Sequence, residues 1–198
     1  MDKVVAISTI ELSPVVRDVW RDYTDAYADT FRNLLRRTDY QRWSYVLEQI
    51  DGGRLLDVGM GVGQFIFAAS RTGRFEEVVG LDIRPHSELL RLDERVEFVW
   101  ADVAFLPFPD DRFDVVTCME CIEHLDDDTL SSALPELRRV ASNRLLMTVP
   151  WEEPEPLPKH HVQRFDRDRV AELFPDAEVT LLTRDSGVPW AVLDERLN

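Results

Sequence analysis

Three glycines at alternate positions, Gly59, Gly61 and Gly63, follow an acid, Asp57, at the end of a short apolar run of Leu55, Leu56 and Val58. Glycine there lets the backbone bend through φ > 0 and lets a ligand lie against it with no Cβ in the way. The spacing narrows the ligand. A dinucleotide fingerprint reads G-x-G-x-x-G, with a pyrophosphate over a helix N-terminus, but here position 64 is Gln64. Asp57 would repel a pyrophosphate and attract a cation or an ammonium group. A second acid, Asp82, lies 19 residues beyond Gly63. A carboxylate is acceptor-only and takes two adjacent ribose hydroxyls, the role an acid at this distance plays after such a turn. The competing reading of Asp82 is a helix N-cap, with Pro85 following three residues later; its position favours the ribose.

Two further sets of side chains carry chemistry. His124, His160 and His161 are three of the four histidines. Histidine titrates near neutrality, so any of them suits removal of a proton from a hydroxyl or ammonium group. Cys118 and Cys121 form a C-x-x-C with His124 beyond, a spacing used for zinc. There is no second cysteine pair, and the two straddle the end of a predicted buried strand. They are read as small apolar fillers, and no metal is expected.

The elements that must position these groups follow from periodicity. Residues 54–58 are too short for a helix and read as a strand, and Val62, Phe65, Ile66 and Ala69 recur at helical spacing. Residues 78–82, 96–100, 115–118 and 145–150 read as buried strands, with a helix over 130–141. Asp126 and Asp128 suit its positive N-terminal end, Pro135 should distort it or delay its start, and 142–143 read as a turn. The proline-rich segment 151–159 is too stiff and polar for core and reads as a substrate lid. Asp166 caps a helix that carries Phe165 and Val170 as a staple. Residues 177–183 and 188–193 are the last strands, joined by a hairpin through 185–187. At the start, residues 3–10 read as an arm or edge strand, free to pair with a partner's edge in a homodimer. Ser13 and Pro14 begin a helix. From 24 to 50 the pattern is helical, with Tyr27, Phe31, Leu34, Trp43, Leu47 and Ile50 on one face and a break at Thr38 and Asp39. One or two of the aromatics Tyr27, Phe31, Tyr40, Trp43 and Tyr45 are expected to line a pocket, the rest to be core.

Composition excludes several classes. At 198 residues the chain fits one domain with a sizeable core. A net charge of −15, from 38 acidic and 23 basic residues, opposes a nucleic-acid partner. No apolar run approaches the ~20 residues needed to cross a bilayer, and the first residues lack a signal peptide's apolar core. The expectation is a cytoplasmic protein with unpaired cysteines.

The D-x-G-x-G-x-G run, Asp82, Asp102, the stretch Leu-Pro-Phe-Pro-Asp-Asp-Arg-Phe-Asp-Val-Val at 106–116 and Glu-Cys-Ile-Glu-His-Leu at 120–125 together resemble the class I S-adenosylmethionine (SAM)-dependent methyltransferases, the last segment those of quinone pathways. The resemblance covers about residues 54–150. It implies SAM lying across the carboxyl ends of strands one, two and four. Its binding residues would be Asp57, Gly59, Gly61, Gly63, Asp82, Ile83, Asp102, Val103, Cys118 and Met119. Asp82 would take the ribose hydroxyls and Asp102 the adenine amino group, and the segment from Met119 to Leu125 would pass under the methionine end. His161 stands where a resembled H-V-x-x-F segment has its histidine, which ranks it first as a base, ahead of His124 and His160. The expected architecture is an α/β, seven-stranded, mostly parallel Rossmann-like sheet. Its order would be 3-2-1-4-5-7-6, with strand 7 antiparallel, helices on both faces and a helical N-terminal cap. Residues 1–50 would form arm and cap and 54–198 the SAM-binding core of one domain. The expected activity is methyl transfer to O, N or C of a small-molecule acceptor. The alternatives are a non-catalytic SAM-binding protein and, disfavoured by the glycine spacing and Asp57, an NAD(P)-linked oxidoreductase.

Overall fold

The computed structural model describes residues 4–27, 36–84, 94–183 and 187–197. The strands in chain order are β1 (Val4–Ile7), β2 (Arg54–Val58), β3 (Glu77–Asp82), β4 (Glu97–Trp100), β5 (Phe113–Met119), β6 (Ala141–Pro150), β7 (Glu178–Leu182) and β8 (Trp190–Arg196). The helices are α1 (Pro14–Tyr27), α2 (Arg37–Gln49), α3 (Gln64–Arg71), α4 (Asp127–Val140) and α5 (Arg167–Leu173). Among the described residues, no helix is long and apolar enough to cross a membrane.

All eight strands form one sheet in the order β1-β7-β8-β6-β5-β2-β3-β4. The expectation of seven strands in the order 3-2-1-4-5-7-6 is corrected: there are eight among the described residues, and the order differs by a strand added outside the sixth. The added strand is β1, which pairs parallel to β7 from Val4 against Val179 to Ile7 against Leu182. Without it β7 would present a row of unpaired backbone groups. The arm therefore extends its own sheet and becomes the edge strand. β8 alone runs antiparallel, to both β6 and β7, because the closing hairpin reverses the chain; residues 184–186 of that hairpin lie outside the described residues.

The central strands β2, β3, β5 and β6 are buried along most of their length, as expected of parallel strands covered on both faces. On one face Val58, Phe113, Val116 and Met147 pack with Leu130 and Leu137 of α4 and with Val170 of α5. On the other, Leu55, Val78, Leu146 and Trp190 pack with Val16 and Tyr23 of α1, Tyr40 and Leu47 of α2 and Phe65 and Ile66 of α3. The cap is thus continuous with the second core layer.

Several local expectations are revised. Thr38 and Asp39 lie inside α2, so no break falls there; Tyr27's side chain, Phe31 and Leu34 lie outside the described residues. Pro135 does not delay α4, which starts at Asp127 behind Asp126, whose Oδ1 accepts from Thr129 N at 2.8 Å. Ser142 and Asn143 belong to β6, which follows α4 directly. The caps Ser13 and Asp166 are found as read, Asp166 Oδ1 accepting from Arg169 N at 3.0 Å.

Candidate active site

The loop after β2 is held by backbone geometry that only glycine supplies easily. Gly59 N and Met60 N both donate to Leu81 O, at 2.8 and 3.1 Å, which folds the loop over the end of β3. Gly59 has φ +72°, and a Cβ there would lie 2.8 Å from Cys121 Sγ. Gly61 has φ +58°, and a Cβ there would meet nothing within 4 Å, so its bare face looks onto open space. Gly61 N donates to Asp82 Oδ2 at 2.9 Å, and Arg84 N donates to Asp82 Oδ1 at 2.9 Å. Each Asp82 oxygen keeps a lone-pair direction for a further donor. From the cap, Tyr23 Oη donates to Val62 O at 2.8 Å.

Two cavities open at the carboxyl edge of the sheet, and Gly59 lines both. The first, about 240 Å³, is lined by Arg42, Trp43, Asp57, Gly61, Gln64 and Met119. The second, about 300 Å³, is lined by Asp82, Ile83, Asp102, Val103, Cys121 and Leu125 among others. Asp102 Oδ1 accepts from Ala104 N at 2.9 Å. Of the aromatics on α2, Trp43 reaches the first cavity and Tyr40 is core.

The first cavity has an unusual charge balance. Asp57 is buried, and its Oδ1 accepts from Thr117 Oγ1 at 2.7 Å. Burial pushes its carboxyl up to about 7, with the nearby Asp82 adding to the rise, while the Thr117 hydrogen bond and Arg42 oppose it. Arg42 is also buried, at 5% exposure. Its guanidinium lies 4.7 Å from the Trp190 ring centroid and 5.9 Å from that of Trp43. Its Nη1 is 3.2 Å from Glu120 Oε2, yet Nε and Nη1 have no hydrogen-bond acceptor. Glu120 has φ +49°; its Oε2 accepts from Trp190 Nε1 at 2.8 Å and its Oε1 from Thr148 Oγ1 at 3.3 Å.

The remaining chemistry-bearing residues are distributed differently from expectation. Met119 lines the first cavity, whereas Cys118 is fully buried in the core between β2 and β6 and lines neither cavity. The two cysteines are free thiols. His124, His160 and His161 line neither cavity. His124 Nδ1 is 2.8 Å from His160 O, His161 Nδ1 is 2.6 Å from Glu153 Oε2, and the His124 and His161 rings meet edge to face at 4.9 Å between centroids. Segment 151–159 is not simply polar surface, because Trp151 and Glu153 are buried. Glu123 is 1% exposed, neither of its carboxyl oxygens has a hydrogen-bond partner, and burial, then the Glu120 charge, pushes its carboxyl well above the usual range. Arg42, Glu120, Glu123 and Glu153 escaped sequence reasoning. Glu120 and Glu123 lay in a quoted segment with no role, and Arg42, between the aromatics of an amphipathic helix, drew no reading.

Sheet, glycine loop and paired cavities make up a Rossmann-like α/β unit with a mostly parallel sheet, the methyltransferase fold. Residues 55–144 match the family model described as a methyltransferase domain. The chain is 36% identical over 84 residues to the 27-O-demethylrifamycin SV methyltransferase of Amycolatopsis mediterranei, covering 38% of this chain and 30% of that protein. It is 32% identical over 96 residues to the ubiquinone biosynthesis O-methyltransferase of Coxiella burnetii, covering 43% and 39%. The chain thus spans less than half the length of these curated relatives. In fold it is similar to the Burkholderia thailandensis 1,6-didemethyltoxoflavin-N1-methyltransferase, solved with 1,6-didemethyltoxoflavin and S-adenosylhomocysteine. The TM-score is 0.70 at 20% identity, over 97% of this chain and 93% of that one.

Proposed function

We propose that this protein is a SAM-dependent methyltransferase acting on O, N or C of a small-molecule acceptor, with residues 1–50 as arm and cap and 54–198 as the SAM-binding core of one unit. The observation that carries this reading is the pairing, in one cavity, of the buried carboxylate Asp57 with the buried cation Arg42, whose Nε and Nη1 lack acceptors. An amino-acid zwitterion complements both: its ammonium meets Asp57 and its carboxylate meets Arg42. A pyrophosphate would answer Arg42 but leave Asp57 repelled and buried.

The neighbouring cavity fits the adenosine half. Asp82 has acceptor capacity left for ribose hydroxyls, Ile83, Val103 and Leu125 offer apolar walls, and Asp102 offers a carboxylate for an amino group. Gly59 lines both cavities, and the bare face of Gly61 looks onto open space. When bound, SAM supplies a methyl carbon that bonds to the acceptor's lone pair as its bond to sulfur breaks, the electron pair staying on the departing thioether. The chain's contribution is to hold the acceptor in line from the cap side, beside Trp43 and Met119, where positioning supplies much of the rate. Since His124, His160 and His161 line neither cavity, this reading assigns them no proton transfer; the acceptor's proton leaves to solvent. The acidic balance supports a small acceptor over a polyanion and agrees with a cytoplasmic protein.

The test is calorimetric titration of SAM, S-adenosylhomocysteine and NADH, followed by an acceptor screen with methyl-labelled SAM and product mass. SAM and its demethylated product should bind and NADH should not. Binding of NADH with equal affinity would overturn the reading. SAM binding with no acceptor turned over across the screen would favour the non-catalytic alternative.

A further inference from the structure

The segment after β5 and the one before α5 are fastened together beside the second cavity, whose lining includes Cys121 and Leu125. Glu123 O accepts from both Val162 N and Gln163 N, at 2.8 and 3.1 Å. Gln163 Nε2 donates to Leu125 O at 3.0 Å and to Asp127 Oδ1 at 2.9 Å. The result brings one potential ligand atom from each of Glu123, His124 and His161 within 4.8 Å of the others. His124 Nε2 stands 3.9 Å from Glu123 Oε1.

From this geometry we propose that Glu123, His124 and His161 form a binding site for one divalent transition-metal ion, of the zinc type. Glu123 makes the first argument. Both its oxygens are buried and without a hydrogen-bond partner. A buried carboxylate without a partner is costly, and protonation would only exchange the charge for an unmatched donor and acceptor. A bound cation satisfies it. The second argument is independent. Metal-binding histidines hold their other ring nitrogen against a carboxylate or a backbone carbonyl, which fixes the tautomer and aims the lone pair. Both histidines here are held that way at Nδ1, His161 by the buried Glu153 carboxylate and His124 by the His160 carbonyl. Each Nε2 is then left with the lone pair.

The donor set selects the ion. Two imidazoles with one carboxylate suit zinc and its transition-metal neighbours, whereas magnesium and calcium prefer all-oxygen shells. With bonds of 2.0–2.2 Å, tetrahedral ligand atoms lie about 3.4 Å apart, so these side chains need to draw in by roughly 1 Å. Three protein ligands leave a fourth position for water or substrate, and the half-exposed His124 ring places it toward solvent. The cysteine pair is not part of this site.

The test uses the full chain, stripped with a chelator and titrated with Zn²⁺ by calorimetry, with Co²⁺ absorption as a second readout. One ion per chain is expected, and the Co²⁺ spectrum should lack the intense thiolate charge-transfer band. His124→Ala and His161→Ala should each weaken Zn²⁺ binding by more than ~100-fold, and Glu153→Gln, which holds His161, by ~10–100-fold. Cys118→Ala with Cys121→Ala should leave it unchanged. His124 is largely at the surface, so its variant is expected to fold, as circular dichroism can verify. No Zn²⁺ bound to the folded wild type, or binding that survives His124→Ala and is lost with the cysteines, would overturn the proposal. SAM affinity of the stripped protein, measured in parallel, reports on the methyltransferase reading separately.

Discussion

Replacing Asp57 by asparagine separates what the site costs in stability from what it does for the ligand. The carboxyl is pushed from its ordinary value of 3.8 to about 7, chiefly by burial. Below pH 3.8 the group is protonated in both folded and unfolded chains and costs nothing. As pH rises from 3.8, the unfolded chain releases the proton and the folded one keeps it, so stability falls until pH passes about 7 and then levels. At about 1.36 kcal/mol for each pH unit, that interval amounts to about 4 kcal/mol, a ceiling that side-chain relaxation lowers. Asparagine keeps an oxygen to accept from Thr117 Oγ1, now 2.7 Å away, and cannot ionise. Asp57→Asn should therefore match the wild type near pH 4 and exceed it by up to about 4 kcal/mol at pH 8. Urea unfolding of both ligand-free proteins from pH 4 to 8.5 would measure this. With SAM the order should narrow or reverse, because a lost charge-assisted hydrogen bond weakens binding by about 1.5–3 kcal/mol, or ~10–150-fold. Wild-type SAM affinity should also fall about tenfold per unit below pH 7, since Asp57 must shed its proton to meet the ammonium. A variant no more stable than wild type at pH 8, or a stability difference that is constant with pH, would refute this account of the buried acid.

The other expectations follow from single contacts. Gly59→Ala places a Cβ at φ +72° and 2.8 Å from Cys121 Sγ; left-handed strain of 1–2 and overpacking of 1–3 kcal/mol give a loss of about 2–5 kcal/mol by denaturant unfolding, partly restored by Cys121→Ala. Arg42→Met keeps the apolar stem between Trp43 and Trp190 but removes the donors, so SAM affinity in calorimetry should fall ~10–100-fold while the fold persists. Asp82→Asn replaces one acceptor oxygen with a donor facing the Gly61 or Arg84 amide; it should lower both the melting temperature and SAM affinity, and unchanged SAM affinity would remove Asp82 from the ribose role.

The run from Leu55 to Ala69 determined its own local structure. A short apolar stretch, φ-permissive glycines and a 3.6-residue period leave few alternatives to strand, turn and helix. The same holds for the acids closing β3 and β4, because a strand end and its next loop are adjacent in sequence. Tertiary structure decided everything that depends on distant segments meeting. That Val4–Ile7 would find a ladder partner in its own sheet was decided by β7, more than 170 residues downstream. Ser142 and Asn143 look like a turn from their residue types, but they lie within β6 at an irregularity in its pairing with β5, where Ser142 Oγ donates to Phe113 O at 3.2 Å and Leu197 N donates to Asn143 O at 2.9 Å. Nothing local in the sequence marks Arg42 or Glu123 as buried, because charge normally seeks water. Arg42 is buried because Trp43, Trp190 and Glu120, from three separate segments, close around it. Glu123 is buried because residues 161–163 fold back over it. Sequence periodicity reports which face of an element is apolar; it carries no information on which charge another element will cover. That is why the glycine loop and its acids were legible, and the buried cation facing Asp57 was not.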